Sequence, residues 1–310
     1  MKISIAELKN NSDCREQIAV RSKPEWLKVT RPRGDEVALF NRVSTVVKSN
    51  NLHTVCDEAR CPNRSACWSS GTATFMILGD TCTRYCKFCS VKHAREGNPI
   101  DETESERLAK ASAGLRLGYV VITSVDRDDL LDRGANHFAK CISAVKSKNP
   151  NAKVEVLTPD FDGNKDLIKV VVDSKPDVFA HNVESVERLE TIRDIRAKYK
   201  RSLDVLKIVK QIDPNMITKS SILLGVGEKE EEVLATLRDL REVGVDAVVL
   251  GQYLQPSKQN LPVSEYVTPD QFKFYAKKAK ELGFRFVVSE PFARTSYKAE
   301  HIFKDSESHI

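Results

Sequence analysis

Three cysteines crowd into the stretch 79–93, GDTCTRYCKFCSVKH. Cys82, Cys86 and Cys89 are spaced C-x3-C-x2-C. Thiolates this close converge on one object. A structural zinc site takes four protein ligands, and the next residues, Ser90, Val91 and Lys92, offer no fourth. Cys thiolates are also the usual ligands of Fe–S clusters. A 4Fe–4S cluster held by three of them would leave one iron open to chelate a small molecule, which makes the pattern a reaction centre. Arg84 and Lys87 are expected to favour the thiolate forms, and Phe88 to shield the cluster from water. The plainer readings are a zinc knuckle that borrows a distant ligand, or three structural thiols.

A second group, Cys56, Cys61 and Cys67, lies in TVCDEARCPNRSACW with spacing C-x4-C-x5-C, and Arg294-Thr295-Ser296-Tyr297 stands near the C-terminus. Together with GTATFMILGDTCTRYCKFC, these motifs resemble the lipoyl synthases, a family of radical S-adenosylmethionine (SAM) enzymes. The resemblance runs from about Lys23 to Tyr297. One departure is Thr295, where the family reads R-S-S-Y; the second serine of that motif corresponds to Ser296.

The resemblance implies SAM and two 4Fe–4S clusters as cofactors. Cys82, Cys86 and Cys89 would hold the catalytic cluster, and SAM would bind its open iron. One electron would split SAM into methionine and a 5′-deoxyadenosyl radical, with the protein supplying orientation and exclusion of water. Cys56, Cys61, Cys67 and Ser296 would hold an auxiliary cluster that gives up two sulfur atoms to carbons 6 and 8 of a lysine-bound octanoyl chain. Ser296 counts as catalytic because a serine oxygen is a harder, more easily displaced partner than thiolate for a soft cluster. The implied partners are octanoylated lipoyl carrier domains (2-oxoacid dehydrogenase E2 subunits and the glycine cleavage H protein) and an electron donor such as flavodoxin or ferredoxin.

Composition bounds the rest. The chain has 310 residues, 41% hydrophobic, enough for a full core. Net charge is +5, from 49 Lys+Arg against 44 Asp+Glu. That mild, spread excess argues against nucleic acid and suits docking of a small acidic domain. Apolar runs are too short to span a membrane. The N-terminus lacks an apolar signal core and carries Glu7, Asp13 and Glu16, so the cytoplasm is expected. Eight cysteines in such a chain read as metal-binding or catalytic rather than as a disulfide framework. Cys141, in HFAKCISAVK, reads as a buried structural thiol; Cys14, in the polar leader, has no evident role.

The elements that must position these residues follow in order. Residues 1–70 read as an N-terminal extension carrying the auxiliary cysteines, with 23–27 extended, a turn at 31–34, and an amphipathic helix at 35–49 on Val37, Phe40, Val43 and Val47. Residues 71–290 alternate strand and helix. Apolar runs at 73–78, 119–123, 153–157, 177–180, 221–224, 246–250 and 285–288 predict strands. Between them, helices are expected at 103–117 behind a Thr103-x-x-Glu106 capping box, at 228–243, and at 269–282 with Thr268 as cap, Pro269 in the first turn and Gln271 completing a box. Residues 291–310 form a C-terminal segment with the serine ligand, its tail frayed.

Alternation of this kind gives an α/β fold with a parallel sheet. The resemblance implies a partial (β/α)6 barrel of the radical SAM type, open on one side. Chemistry in such barrels sits at the C-terminal ends of the strands, where the first triad falls. The other strand ends supply candidates for gripping SAM: Ser124, Asn182, Glu184, Gly225 and Gln252, with His181 as a polar lining residue rather than an iron ligand. Competing readings are a methylthiotransferase, which would want an RNA-binding domain, a biotin synthase, and a non-catalytic electron carrier or zinc module, against which two triads rather than quartets speak.

Overall fold

The computed structural model describes residues 23–28, 32–297 and 299–304. Cys14, the rest of the leader and the tail from Asp305 lie outside the described residues. Ten strands are present among the described residues: β1 (His53–Thr54), β2 (Thr74–Ile77), β3 (Thr81–Cys82), β4 (Lys92–His93), β5 (Tyr119–Ser124), β6 (Lys153–Leu157), β7 (Val178–Ala180), β8 (Ile217–Leu224), β9 (Ala247–Gln252) and β10 (Phe286–Ser289). Eight of them form one sheet in the order β1-β2-β5-β6-β7-β8-β9-β10, while β3 and β4 make a small separate ribbon. β1 runs antiparallel to β2, and the remaining neighbours in the large sheet are parallel. β1 and β10 are its edges, so the sheet is open.

Strands β2 and β5 to β9 are each followed by a helix: Glu104–Gly114, Ala135–Lys148, Lys165–Asp173, Tyr199–Ile212, Glu230–Glu242 and Pro269–Glu281. These are the six expected β/α units, and β10 adds a seventh parallel strand. β2, β7 and β9 are buried at every position, as expected of parallel strands covered on both faces. At the N-terminal ends of the strands, Ile302 packs with Val178 and Ala247, and Tyr119, Ile217, Phe286 and Phe303 gather round them. That plug closes one end of the sheet's concave side and leaves the C-terminal ends to form a site.

Several local expectations change. β8 starts at Ile217, four residues before its apolar run. Its polar first half is buried because Lys219 reaches inward and binds both oxygens of Glu155, at 2.8 and 2.7 Å, while Tyr119 Oη donates to Glu155 Oε2 at 2.5 Å. The pairing compensates the desolvation of both charges. The capping box at Thr103 does not form: its hydroxyl donates to Asp101 Oδ1 at 2.6 Å instead. Thr268 does cap its helix, accepting from Gln271 N at 3.2 Å, but the Gln271 side chain turns to Glu230. Residues 25–27 form a short 3₁₀ turn within the segment expected to be extended, with Leu27 buried. The helix Asp35–Ser49 buries Val43 and Val47 and leaves Val37 exposed.

Candidate active site

The first cysteine loop begins with a forced turn. After β2 the chain passes through Leu78 at φ 69° and Gly79 at φ 87°. A Cβ on Gly79 would stand 3.2 Å from Asn98 Cβ, in a backbone region that side chains rarely adopt. Glu104 pins the turn: its carboxylate accepts from Leu78 N at 2.9 Å and lies 2.7 Å from His137 Nε2. No sequence signal marked Glu104, since it sits beside the helix-capping positions and turns inward.

Cys82, Cys86 and Cys89 line one cavity of about 340 Å³. Backbone N–H groups aim at their sulfurs. Arg84 N and Asp126 N donate to Cys82 Sγ at 3.4 and 3.3 Å, and Asp194 N donates to Cys86 Sγ at 3.3 Å. Ser90 and Val91 N–H groups do the same for Cys89. Burial dominates nonetheless. It pushes the Cys86 thiol up to about 12 and raises Cys82 and Cys89 as well, with the Asp126 charge adding to the rise in all three. Thiols in this state lose their protons only as a cation binds the sulfurs, which couples loading to proton release.

Arg84 does not act as expected. Its guanidinium is buried and forks onto two carboxylates, Asp128 (2.8 and 2.9 Å) and Asp160 (2.9 and 2.7 Å), with Asp126 at 3.4 Å. Three carboxylates occupy the cation, so it cannot also draw protons off the cysteines. It ties the loops after β2, β5 and β6 together. Burial would raise the Asp160 carboxyl, but the Arg84 hydrogen bonds and charge outweigh it and hold it at about 2. Asp126 lacks such bonds, and burial pushes it up to about 6. Lys87 and Phe88 lie on the same loop; Phe88 packs toward Ile192, Val226 and Tyr253.

The strand-end candidates divide. Ser124, Asn182, Glu184 and His181 line the cavity with the cysteines. Gly225 and Gln252 do not. Gln252 is fully buried and its amide is spent: Nε2 donates to the carbonyls of Leu224, Tyr253 and Glu265, and Oε1 accepts from Val267 N. Gly225 N is taken by Glu228 Oε1 at 2.6 Å, and a Cβ there would fall 2.2 Å from Glu265 O. These residues build the turns after β8 and β9. The tight GVGE turn serves the fold.

His181 lies inside a closed hydrogen-bond chain. Nδ1 donates to Thr158 O (2.9 Å), Nε2 accepts from Ser202 Oγ (3.0 Å), and Arg193 donates to that hydroxyl (2.8 Å). Burial and then the Arg193 charge lower its pKa to about 4, so the ring is neutral. Two buried polar atoms on the cavity wall lack a partner, Ser124 Oγ and Arg193 Nε. Glu184, at φ 66°, has its carboxyl pushed up by burial, which Arg193, Asn182 and Arg294 oppose. Unspent donors and a half-buried carboxylate fit a polar, charged ligand such as SAM. Arg193, whose signal was only its place after a strand end, was missed from the sequence.

The second triad opens on the same space. Cys61 lines the cavity, and so do Arg294, Thr295 and Ser296. Burial, with the charge of Cys61 adding to it, raises Cys56 to about 11, and burial with the charges of Cys56 and Cys61 raises Cys67 to about 12. The buried indole N–H of Trp68 has Cys56 as its one neighbour to donate to, and this opposes the rise there. Asn63 Nδ2 donates to Phe292 O at 2.7 Å, sealing the triad's loop to the C-terminal segment. Thr295 Oγ1 and the Asn182 amide exchange hydrogen bonds at 3.0 and 3.2 Å. A threonine thus supplies the hydroxyl that a serine would, and Ser296 follows it into the cavity. Cys141, fully buried away from the site, is the structural thiol expected.

A family model for the radical SAM superfamily matches residues 76–240. An open parallel sheet of β/α units with C-x3-C-x2-C after its first parallel strand places this chain among the radical SAM proteins. Solved structures agree on the fold: methylornithine synthase has a TM-score of 0.53 at 13% identity, covering 83% of this chain and 79% of that one. Streptococcus suis SuiB bound to S-adenosylmethionine gives 0.54 at 11% identity, covering 73% and 54%. A second model, for the N-terminal domain of lipoyl synthase, matches residues 2–61. The lipoyl synthase of Methanocella arvoryzae is 54% identical over 278 residues, 89% of this chain and 93% of that protein. The mitochondrial lipoyl synthase of Homo sapiens is 50% identical over 286 residues, 90% of this chain and 76% of that one. The chain belongs to the lipoyl synthase family.

Proposed function

We propose that the protein inserts sulfur at carbons 6 and 8 of a protein-bound octanoyl-lysine, yielding the lipoyl group. One observation carries this reading beyond family membership: Cys61 and Ser296 of the second group face the same cavity as Cys82, Cys86 and Cys89. A sulfur source and a radical source must share the space that holds the substrate carbon.

Cys82, Cys86 and Cys89 would hold one 4Fe–4S cluster, and Cys56, Cys61, Cys67 and Ser296 a second. The first cluster with SAM supplies the one-electron chemistry that removes hydrogen from an unactivated carbon, and the second supplies the sulfur. The chain's own residues bind, orient and exclude water. Ser124 Oγ and Arg193 Nε would donate to the polar end of SAM, and Glu184 would offer a half-buried carboxylate to its positive groups. The Arg84 bridge keeps three cavity loops in register, and the neutral His181 chain fixes a fourth, so little reorganisation is left for the moment of reaction. Ser296 is the detachable ligand, and Thr295 anchors the segment that presents it.

The carriers we propose are E2 subunits and the glycine cleavage H protein, with flavodoxin or ferredoxin as reductant and the cytoplasm as the compartment. The test is mass spectrometry of an octanoylated carrier peptide after anaerobic incubation with SAM and dithionite. The expected product is heavier by two sulfur atoms. An unchanged octanoyl peptide, with 5′-deoxyadenosine formed, would exclude sulfur insertion.

A further inference from the structure

Ser296 and the wall assigned to SAM are joined through one side-chain amide. Upstream of Ser296 the C-terminal segment is held at its backbone. Glu290 N donates to Leu250 O at 3.2 Å, Gln252 N donates to Pro291 O at 3.1 Å, and Asn63 Nδ2 donates to Phe292 O at 2.7 Å. A Cβ on Gly251 would stand 2.0 Å from Ala293 O, so the end of β9 and the segment are in direct contact. The next tie is made by a side chain. Thr295 Oγ1, on a residue 8% exposed, lies 3.0 Å from Asn182 Nδ2 and 3.2 Å from Asn182 Oδ1, across 113 residues.

Asn182 has a second task. The same Nδ2 donates to Glu184 Oε1 at 3.1 Å. An amide nitrogen carries two hydrogens, so one goes to each partner and neither is left for a ligand. Asn182, expected among the groups that grip SAM, is spent within the protein. Its own footing is rigid. Val183 N donates to Ser220 Oγ at 3.2 Å, Glu184 N donates to Ser221 O at 3.1 Å, and Leu223 N donates to Glu184 O at 2.8 Å, which stitches the turn after β7 onto β8. Asn182 therefore holds Glu184 on one side and the residue before Ser296 on the other. A threonine suits that place, because its branched Cβ stiffens χ1, so a fixed hydroxyl also fixes the backbone that carries Ser296.

We infer that Asn182 is a positioning residue that sets Ser296 in register with the SAM wall, so that SAM bound against Glu184 steadies the segment from which sulfur is delivered. A ligand that fixes the Glu184 carboxylate removes freedom from the amide bonded to it, and the Thr295 hydroxyl on that amide is then ordered at less cost. This rests on the sulfur-insertion reading of the site.

The experiment compares reconstituted wild type with Thr295→Val, Thr295→Ser and Asn182→Ala. Valine keeps the shape of threonine and the Asn182–Glu184 bond while removing the hydroxyl; serine keeps the hydroxyl. Hydrogen–deuterium exchange of peptide 291–297 is followed with and without saturating SAM, and 5′-deoxyadenosine and thiolated octanoyl peptide are counted in single turnovers. In wild type and Thr295→Ser, SAM should slow exchange of the peptide about fivefold or more, the low end of coupling between sites. In Thr295→Val and Asn182→Ala that slowing should vanish. Thiolated product per 5′-deoxyadenosine should fall about tenfold or more in both, with iron per chain as in wild type. Equal slowing by SAM in wild type and Thr295→Val overturns the inference, and so does a wild-type product ratio in that variant. Iron in Thr295→Val as low as in the Cys56, Cys61 and Cys67 replacement also overturns it, since Thr295 would then be holding the cluster itself. Wild type that forms 5′-deoxyadenosine and no thiolated peptide would sink the sulfur-insertion reading, while the exchange measurement still decides the link through Asn182.

Discussion

Replacing Arg84 by Met would remove one cation from beneath three carboxylates while roughly keeping the volume. Asp160 is 1% exposed and Asp128 mostly buried, so neither can find water where it stands. Losing one partner of a buried ion pair costs about 3–5 kcal/mol. The Asp160 carboxyl, held at about 2 against ~3.9 in the unfolded chain, corresponds to about 2.5 kcal/mol by linkage, which is consistent with the lower end. For a chain of this length a loss near 3–5 kcal/mol should lower Tm by roughly 6–10 °C at pH 7.

A depressed folded pKa contributes stability above the unfolded value, and this is lost as pH falls toward the folded value. In the variant, burial without the cation raises Asp160, so acidification relieves its penalty. The Tm gap between wild type and Arg84→Met should therefore narrow steadily from pH 7 to about pH 4. The assay is thermal unfolding by circular dichroism of the iron-free proteins across that range, with Arg84→Lys expected between the two because it keeps one of the forked contacts. A Tm shift under about 2 °C at pH 7, or a gap that widens on acidification, would refute the claim that Arg84 is the fastener of these loops.

Three further outcomes are expected. Replacing Cys56, Cys61 and Cys67 by Ala should spare 5′-deoxyadenosine formation and eliminate thiolated octanoyl product, whereas Cys82, Cys86 and Cys89 replaced by Ala should abolish both; iron analysis should fall from about eight to about four per chain in either variant. Ser296→Cys should keep the second cluster but stall sulfur transfer in single-turnover assays, since thiolate holds iron more tightly, and Ser296→Ala should leave that cluster labile, while Thr295→Ala loses a buried hydrogen bond worth about 1 kcal/mol and retains some product; full product from Ser296→Ala beside failure of Thr295→Ala would show that the ligand is the other hydroxyl. His181, neutral with its pKa lowered to about 4, contributes stability that is full above ~6.5 and lost as pH falls toward 4; denaturant titrations of wild type and His181→Gln at pH 7 and 5 should show a smaller pH dependence in the variant, and equal slopes would contradict it.

Much of this site is local enough to read in one dimension. The cysteine spacings, the strand runs after residue 72 and the Thr268 cap depend on neighbours within a few residues, so their residue types declare them. Even the pairing order of the strands follows from short β/α connections, which lay each strand beside the last. Other features depend on partners far along the chain. Arg84 reads as a cation beside thiols, and only the fold brings Asp128 and Asp160, 44 and 76 residues away, onto its guanidinium. Lys219 hides the start of β8 from any apolar pattern because its compensating charge, Glu155, is 64 residues off. Gln252 looks available at a strand end, yet its amide is spent on backbone groups that other turns deliver. The meeting of Cys61 with Ser296 at one cavity is likewise set by Asn63 reaching Phe292 across 229 residues. Spacing along the chain encodes which groups can bind a cluster; desolvation and distant charge decide which of the surrounding groups remain free to act.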